Sequence, residues 1–147
     1  MCNIDLSLMN QPAVMKHLEI LQGIITRMAN NSASCKTWML TIITGLIALS
    51  IEKGCFPIWI SLIPTIMFFI LDSFYLGLEK HFRKLYNDFV SKLADNSIEI
   101  NDVYVINSKR NPWIDLKYIY KGMHSISTSF IYISIIVIVA LIYFKII

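Results

Sequence analysis

Phe69-Ile70-Leu71-Asp72-Ser73-Phe74-Tyr75-Leu76-Gly77-Leu78-Glu79-Lys80-His81-Phe82-Arg83-Lys84-Leu85-Tyr86-Asn87-Asp88-Phe89 begins as hydrocarbon and ends as a charged amphipathic helix, with no proline between. Upstream of it, Gly54 to Leu71 is uncharged for eighteen residues, and the apolar character continues past Asp72 to Leu78, which is enough for a full membrane span. Beyond the span, Tyr75, Leu78, Phe82, Leu85 and Phe89 step by 3, 4, 3 and 4, the spacing of a helical seam. One helix therefore leaves the bilayer and continues into water. Glu79 with Arg83 and Lys84 with Asp88 are i, i+4 pairs that keep its outer face wet.

An equivalent helix precedes it. Val14, Leu18, Leu21, Ile25 and Met28 step by 4, 3, 4 and 3, on a helix expected to open near Asn10-Gln11-Pro12, where proline is tolerated in the first turn. Nothing between Ala29 and Trp38 forces a break, so this helix should run into the first apolar stretch, Thr37 to Ile51. That stretch has fifteen uncharged residues, short of the roughly 20 that cross a ~30 Å core. It must borrow flanking residues or thin the bilayer, with Lys36 snorkelling at its end. Because the hairpin returns the chain beside its point of departure, the two seams should pack as an antiparallel pair. They also offer a seam for self-association, through Leu18, Leu21, Ile25, Phe82 and Leu85.

A third stretch, Gly122 to Phe144, has twenty-three residues between Lys121 and Lys145. The whole chain is 56% hydrophobic and 16% charged, with a mean hydropathy of +0.59, whereas soluble domains carry about 25% charged residues. These numbers exclude an ordinary cytosolic enzyme, a disordered tail and a secreted disulfide miniprotein. The expected fold is an all-α membrane protein: three transmembrane helices with long cytoplasmic helical extensions and a short β segment. The chain divides into an N-terminal helix (1–36), a transmembrane hairpin (37–78), a helical extension (79–95), a strand, loop and interfacial segment (96–121) and a third transmembrane helix (122–147). The β segment rests on the alternation Ile98-Glu99-Ile100 and on the β-branched and aromatic run Val103-Tyr104-Val105-Ile106. Ser108 to Pro112 reads as a loop, and Trp113, Lys117, Tyr118, Tyr120 and Lys121 as an interfacial approach to the last span.

Eleven Lys and Arg lie before the first span or between the second and third, against two, Lys53 and Lys145, on the other face. The positive-inside rule then sets the N-terminus and residues 79–121 in the cytoplasm of a multi-pass inner (cytoplasmic) membrane protein, with the C-terminus outside. No cleaved signal peptide is expected, since the first 36 residues lack an apolar core. Cys2, Cys35 and Cys55 fit no disulfide or metal framework. His17, His81 and His124 are isolated and no catalytic or phosphate-binding motif occurs, so neither an enzyme nor a cofactor is expected. The scattered basic residues do not form a nucleic-acid patch.

Asp72 is the exceptional residue. It lies about seven residues, or ~10 Å, inside the span if the span ends at Glu79, where a carboxylate must be paired or hydrated. Arg27 and Lys36 are its candidate partners; a pore or gate role, or a position at headgroup depth, are the other readings. Thr41, Thr44, Ser50, Ser61 and Thr65 are candidates for interhelical hydrogen bonds or a polar path. Gly45 with Ser61 is a candidate for close helix approach. Pro57 should start the second helix and Pro64 kink it.

The stretches Leu18 to Ser32, Lys36-Thr37-Trp38 and Phe69 to Tyr86 resemble a widespread family of small bacterial inner-membrane proteins. The architecture is also similar to that of SLATT proteins, two-helix membrane effectors encoded beside nucleotide second-messenger systems; the third span and residues 96–112 have no SLATT counterpart. The resemblance implies a membrane effector of antiphage, abortive-infection type defence, acting as a homo-oligomeric pore or membrane disruptor. Its implied partners are the lipid bilayer, further copies of itself and a cytoplasmic sensor protein or nucleotide signal. The alternative is a non-catalytic membrane adaptor or immunity protein that docks a cytoplasmic partner.

Overall fold

The computed structural model describes residues 11–53, 58–104, 106, 120 and 122–146. Every regular element among them is helical: α1 (Pro12–Lys53), a 3-10 turn (Ile58–Ser61), α2 (Leu62–Ala94), α3 (Ile100–Tyr104) and α4 (Ile126–Ile146). At 1.5 Å per residue, the 42 residues of α1 extend about 63 Å and the 33 of α2 about 50 Å. Both exceed a bilayer core. The Gln11 carbonyl accepts from the Val14 and Met15 N–H groups, leaving Pro12 in the first turn, where its missing donor costs nothing. The continuous helix through the apolar boundary is thus realised.

α1 and α2 form an antiparallel hairpin with a straight seam. Lys36 meets Asp72 and His17 stacks on Phe89 with ring centroids 4.4 Å apart; from one contact to the other α1 retreats nineteen residues while α2 advances seventeen. Along α1 the buried positions Val14, His17, Leu21, Ile25, Ser32, Cys35, Met39, Ile43 and Ser50 keep the native 3.6-residue period. A stripe of that period stays on one side of an unsupercoiled helix.

Two helices, 12–50 and 59–94, are long and apolar enough to cross a membrane, and only 22% and 28% of their apolar windows are buried. A soluble core helix would show the reverse. Large exposed hydrophobics run from Trp38 to Leu49 on α1, from Trp59 to Leu71 through the 3-10 turn and α2, and from Phe130 to Phe144 on α4. Past Leu71 none is exposed on α2. In the half that carries these exposed side chains the interior combines an aliphatic and aromatic cluster, Met39, Ile43, Tyr132, Ile135 and Val139, with small or polar residues, Ser32, Thr65, Asp72, Ser73, Gly77 and Thr128, as packed membrane helices do. In the other half Val14, Phe89 and Leu93 form an apolar cluster in the ordinary soluble manner.

α4, 21 residues and about 31 Å long, packs on the hairpin through Tyr132, Ile135 and Val139, which join Met39 and Ile43 in one core cluster. Where the sequence suggests one span from Gly122, the helix starts at Ile126, after a turn in which the Ser125 N–H donates to the Gly122 carbonyl at 3.0 Å. Gly122 is wedged against α2: a Cβ there would run into the Ser73 carbonyl and stand 3.2 Å from the Gly77 nitrogen.

The expected β segment is corrected. No strand occurs among the described residues, and Ile100–Tyr104 is a helical turn. α2 ends with Asn96 in the left-handed conformation (φ 51°), and the Asn96 and Ser97 N–H groups return to the Leu93 and Lys92 carbonyls at 3.3 and 3.0 Å, a Schellman closure in which Asn takes the place of Gly. Asp102 then reaches back to the Glu99 N–H at 3.2 Å, as the third residue of a capping box does, and binds Lys92 at 2.8 Å. With no neighbouring strand to pair with, local capping outweighs the alternating pattern. Ile98 and Val103 rest on the Val14, Phe89 and Leu93 cluster, so the segment latches the hairpin's polar end.

Two further expectations change. The 3-10 turn delays α2 until Leu62, so Pro64 falls in its first turn and not in a kinked interior. Gly45 is exposed, and a Cβ added to it would meet nothing within 4 Å, so it mediates no close approach within the chain. The loop at Ser108 to Pro112, the interfacial Trp113, Lys117, Tyr118 and Lys121, and Cys2, Asn10, Cys55 and Pro57 lie outside the described residues; Tyr120 is exposed.

The latch carries a pH signature. The hydrogen bond from Lys92, and then the Glu99 N–H, hold the Asp102 carboxyl below its ordinary range, while the same hydrogen bond pushes Lys92 up. The Asp102 contribution is complete above about pH 4 and is lost as pH falls through the depressed value; the Lys92 contribution is complete below about pH 10 and is lost above it. Amide exchange of residues 98–104, corrected for intrinsic rates, should therefore accelerate in acid, and Asp102→Asn should reproduce that loss at neutral pH. Equal protection in the variant would show that apolar contacts alone hold the latch. For the third helix, Gly122→Ala should lower the unfolding midpoint through an overpacking cost of about 1–3 kcal/mol. Gly23→Ala, with open space around it, should be neutral or gain about 0.5–1 kcal/mol.

Candidate functional site: a buried ion pair between three helices

The structure pairs Asp72 with Lys36. Lys36 Nζ lies 2.7 Å from Asp72 Oδ1, with the Asp72 side chain fully buried and that of Lys36 16% exposed. Ser32, one turn before Lys36, donates its hydroxyl to the same Asp72 oxygen and accepts from Lys36 Nζ at 2.9 Å. The triangle follows from helical spacing. Residues 32 and 36 stack on one face of α1, and Asp72 is the α2 residue at that level. Arg27, the other candidate, is exposed on α1 beside Gln22, Gly23, Asn30 and Asn31 and does not join the site.

Depth gives the pair its meaning. On α2 the large exposed hydrophobics end at Leu71, and on α1 they cluster from Trp38 to Leu49, with only Met15 and Ile20 exposed nearer the N-terminus, so the charges sit at one edge of the apolar belt. There the desolvation of two ions competes with their attraction, and such a pair adds little net stability while its single-sided disruption is costly. A Ser and a Lys one turn apart also suggest a nucleophile and base. The hydrogen bonds run the opposite way: the Ser32 proton goes to Asp72 and the Ser32 oxygen accepts from Lys36, the polarity of a charge clamp and not of an activated serine.

α4 closes the third side. Tyr132, 3% exposed, packs edge-on against Phe69 with centroids 5.1 Å apart, and its hydroxyl, like Asp72 Oδ2, is buried without a hydrogen-bond partner. Ser32, Ser73, Thr128 and Tyr132 are the members that sequence reading missed. The signal was available in part, since Thr128 and Tyr132 stand i, i+4 in a largely apolar helix, where buried hydroxyls need partners.

The remaining candidates distribute as follows. Leu21 and Ile25 are buried against the chain's own hairpin, while Leu18, Phe82 and Leu85 are half-buried along its edges. Thr41 and Thr44 are exposed and bond the Thr37 and Leu40 carbonyls at 3.0 and 2.8 Å, so within the chain they link no helices. Thr65 is buried but likewise bonds its own helix, at the Ser61 carbonyl. His17, isolated in the sequence, is 7% exposed and its Nδ1 meets the Val103 carbonyl at 2.9 Å, which fastens the latch to α1.

No protein-family model matches the sequence, and no curated protein or solved structure is significantly similar to it.

Lys36→Met and Asp72→Asn, each stranding one side of the pair, should each cost about 3–5 kcal/mol. The double variant Lys36→Met with Asp72→Asn should recover most of that loss, and Arg27→Gln should stay within about 0.5 kcal/mol of the parent. Thermal unfolding in one detergent measures all four; additivity of the two site changes would dissolve the pair as an energetic unit.

Proposed function

We propose that this chain is a three-span protein of the inner membrane, N-terminus inside and C-terminus outside, that assembles into an oligomeric pore or membrane disruptor in bacterial antiphage defence. The single observation that carries the reading is the Lys36–Asp72 clamp at the edge of the apolar belt. A desolvated pair adds little to stability, so its natural use is as a two-state element: closed when paired, open when hydrated. The first span has fifteen uncharged residues, about 22 Å of helix. Against a ~30 Å core it thins the bilayer or draws the clamp into it. The latch at the polar end supplies a place where a cytoplasmic sensor or nucleotide signal acts, through a segment that leads directly to the third helix. The defence role rests on the likeness to SLATT effectors.

A second reading, a non-conducting adaptor or immunity protein, is favoured by the burial of Leu21 and Ile25 within one chain, which removes the need for a second copy to cover them. Self-association on the first reading uses the half-buried edge at Leu18, Phe82 and Leu85.

Dye release from liposomes of anionic lipid separates the two. The pore reading expects release by the parent or by Asp72→Asn, together with growth arrest on expression. Absence of release from both, with normal growth, leaves the adaptor. A reporter fused after Ile147 should report the outside and one inserted at 96–112 the inside; a cytoplasmic C-terminus would sink the three-span topology.

A further inference from the structure

Four buried oxygens on two facing helices have no hydrogen-bond partner: Asp72 Oδ2 and Ser73 Oγ on α2, and Thr128 Oγ1 and Tyr132 OH on α4. Asp72, Ser73 and Thr128 are 0% exposed and Tyr132 is 3%. They share one level of the bundle. Tyr132 packs on Phe69, and Gly122 lies on Ser73 and Gly77. The antiparallel register therefore sets Thr128, one turn before Tyr132, opposite Ser73, one turn after Phe69. The Tyr132 hydroxyl and Asp72 Oδ2 make no direct hydrogen bond, to each other or to another group. Such a polar gap between otherwise buried groups is where a bridging water resides. Unpaired buried polar atoms cost more than paired ones return, and four in one layer demand a common partner.

We propose that these four oxygens form a binding site for internal water, through which the Lys36–Asp72 clamp is hydrogen-bonded to the third helix. The donor inventory closes. The carboxylate oxygen only accepts, whereas each hydroxyl both donates and accepts; a water donating to Asp72 Oδ2 accepts in turn from Tyr132 or Thr128. Charge selects a neutral ligand. Lys36 at 2.7 Å already balances Asp72, so a metal cation would face that ammonium across a shared carboxylate in a low-dielectric setting, and an anion would face the carboxylate itself. The site goes beyond the pore reading and does not depend on it: α4 is fastened to the hairpin by an exchangeable ligand whether or not the membrane opens.

The test uses the full chain in nanodiscs. In a hydrated site Tyr132→Phe and Thr128→Val each remove a made hydrogen bond, and each should lower the unfolding midpoint by about 2–4 °C. The double variant should fall by less than the sum, because one ligand serves both. In a dry site the same deletions remove an orphaned hydroxyl, and a raised midpoint overturns the proposal. Hydroxyl-radical footprinting gives an independent readout, since a bound water is itself the local radical source. Tyr132 should be labelled despite its burial, and an unlabelled Tyr132 overturns the site. Unfolding in sodium chloride against N-methylglucamine chloride tests the competing occupant; a midpoint that rises only with sodium replaces water by a cation. Additive effects of Tyr132→Phe and Thr128→Val, with Tyr132 alone coupled to Asp72→Asn, would reduce the site to a direct tyrosine–carboxylate bond.

Discussion

A lysine and an aspartate that have lost their water fix the register of the whole molecule. Long antiparallel helices with small and aliphatic contact residues slide past one another by a turn at modest cost, since one methyl-lined groove resembles the next. Lys36 and Asp72 remove that freedom. Displacing either by one turn, about 5.4 Å, leaves an uncompensated ion among Ser32, Cys35, Ser73 and Met39, all buried. The pair thus contributes uniqueness where the surrounding packing contributes cohesion. Every other contact on the hairpin, from Met39 and Ile43 in the apolar half to His17 on Phe89 in the polar half, follows from that one alignment.

The same level of the structure is where the physics of the interior changes hands. Toward the termini of the hairpin, Val14, Leu21, Phe89 and Leu93 are buried and charges are exposed, the arrangement that water enforces. Toward its turn, Thr65, Ser73 and Thr128 are buried while Ile66, Met67 and Leu141 are exposed, an arrangement that a hydrocarbon surround rewards. The clamp lies at the crossover, and so does Gly122, whose missing side chain lets the approach to α4 touch the α2 backbone. Three helices converge where neither solvent is ideal. A polar layer there is held by specific hydrogen bonds and not by bulk exclusion from either phase.

How much of this was legible in the sequence depends on the range of the interaction. The two long helices were readable because their cause is local: uninterrupted apolar runs passing into 3–4 seams at Val14 to Met28 and Tyr75 to Phe89. Asp72 announced itself by its cost, and Lys36 was among its two candidate partners; choosing it over Arg27 required the rotational phase of α1 against α2, which a single sequence does not carry. The strand expected at Ile98 to Ile106 failed for a different reason. Alternation signals a strand only when a second strand is available, whereas Asp102 closes on Glu99 and Lys92 within ten residues. Tyr132 and Thr128 were hidden because a hydroxyl in a largely apolar helix is ordinary until another helix is known to face it.

Two ion pairs that tie separate elements together divide the work between holding and releasing. Lys92–Asp102 lies in water, with 49% and 27% of its side chains exposed, where ion pairs are screened, cheap to break and quick to re-form. Lys36–Asp72 is shielded from bulk solvent, with side chains 16% and 0% exposed, and resists separation unless bulk water or a competing charge enters. In sequence the latch that Asp102 anchors precedes α4, whose Tyr132 and Thr128 are buried. The exposed pair therefore sets local order at the hairpin's polar end, whereas the buried pair sets the register of α1 on α2.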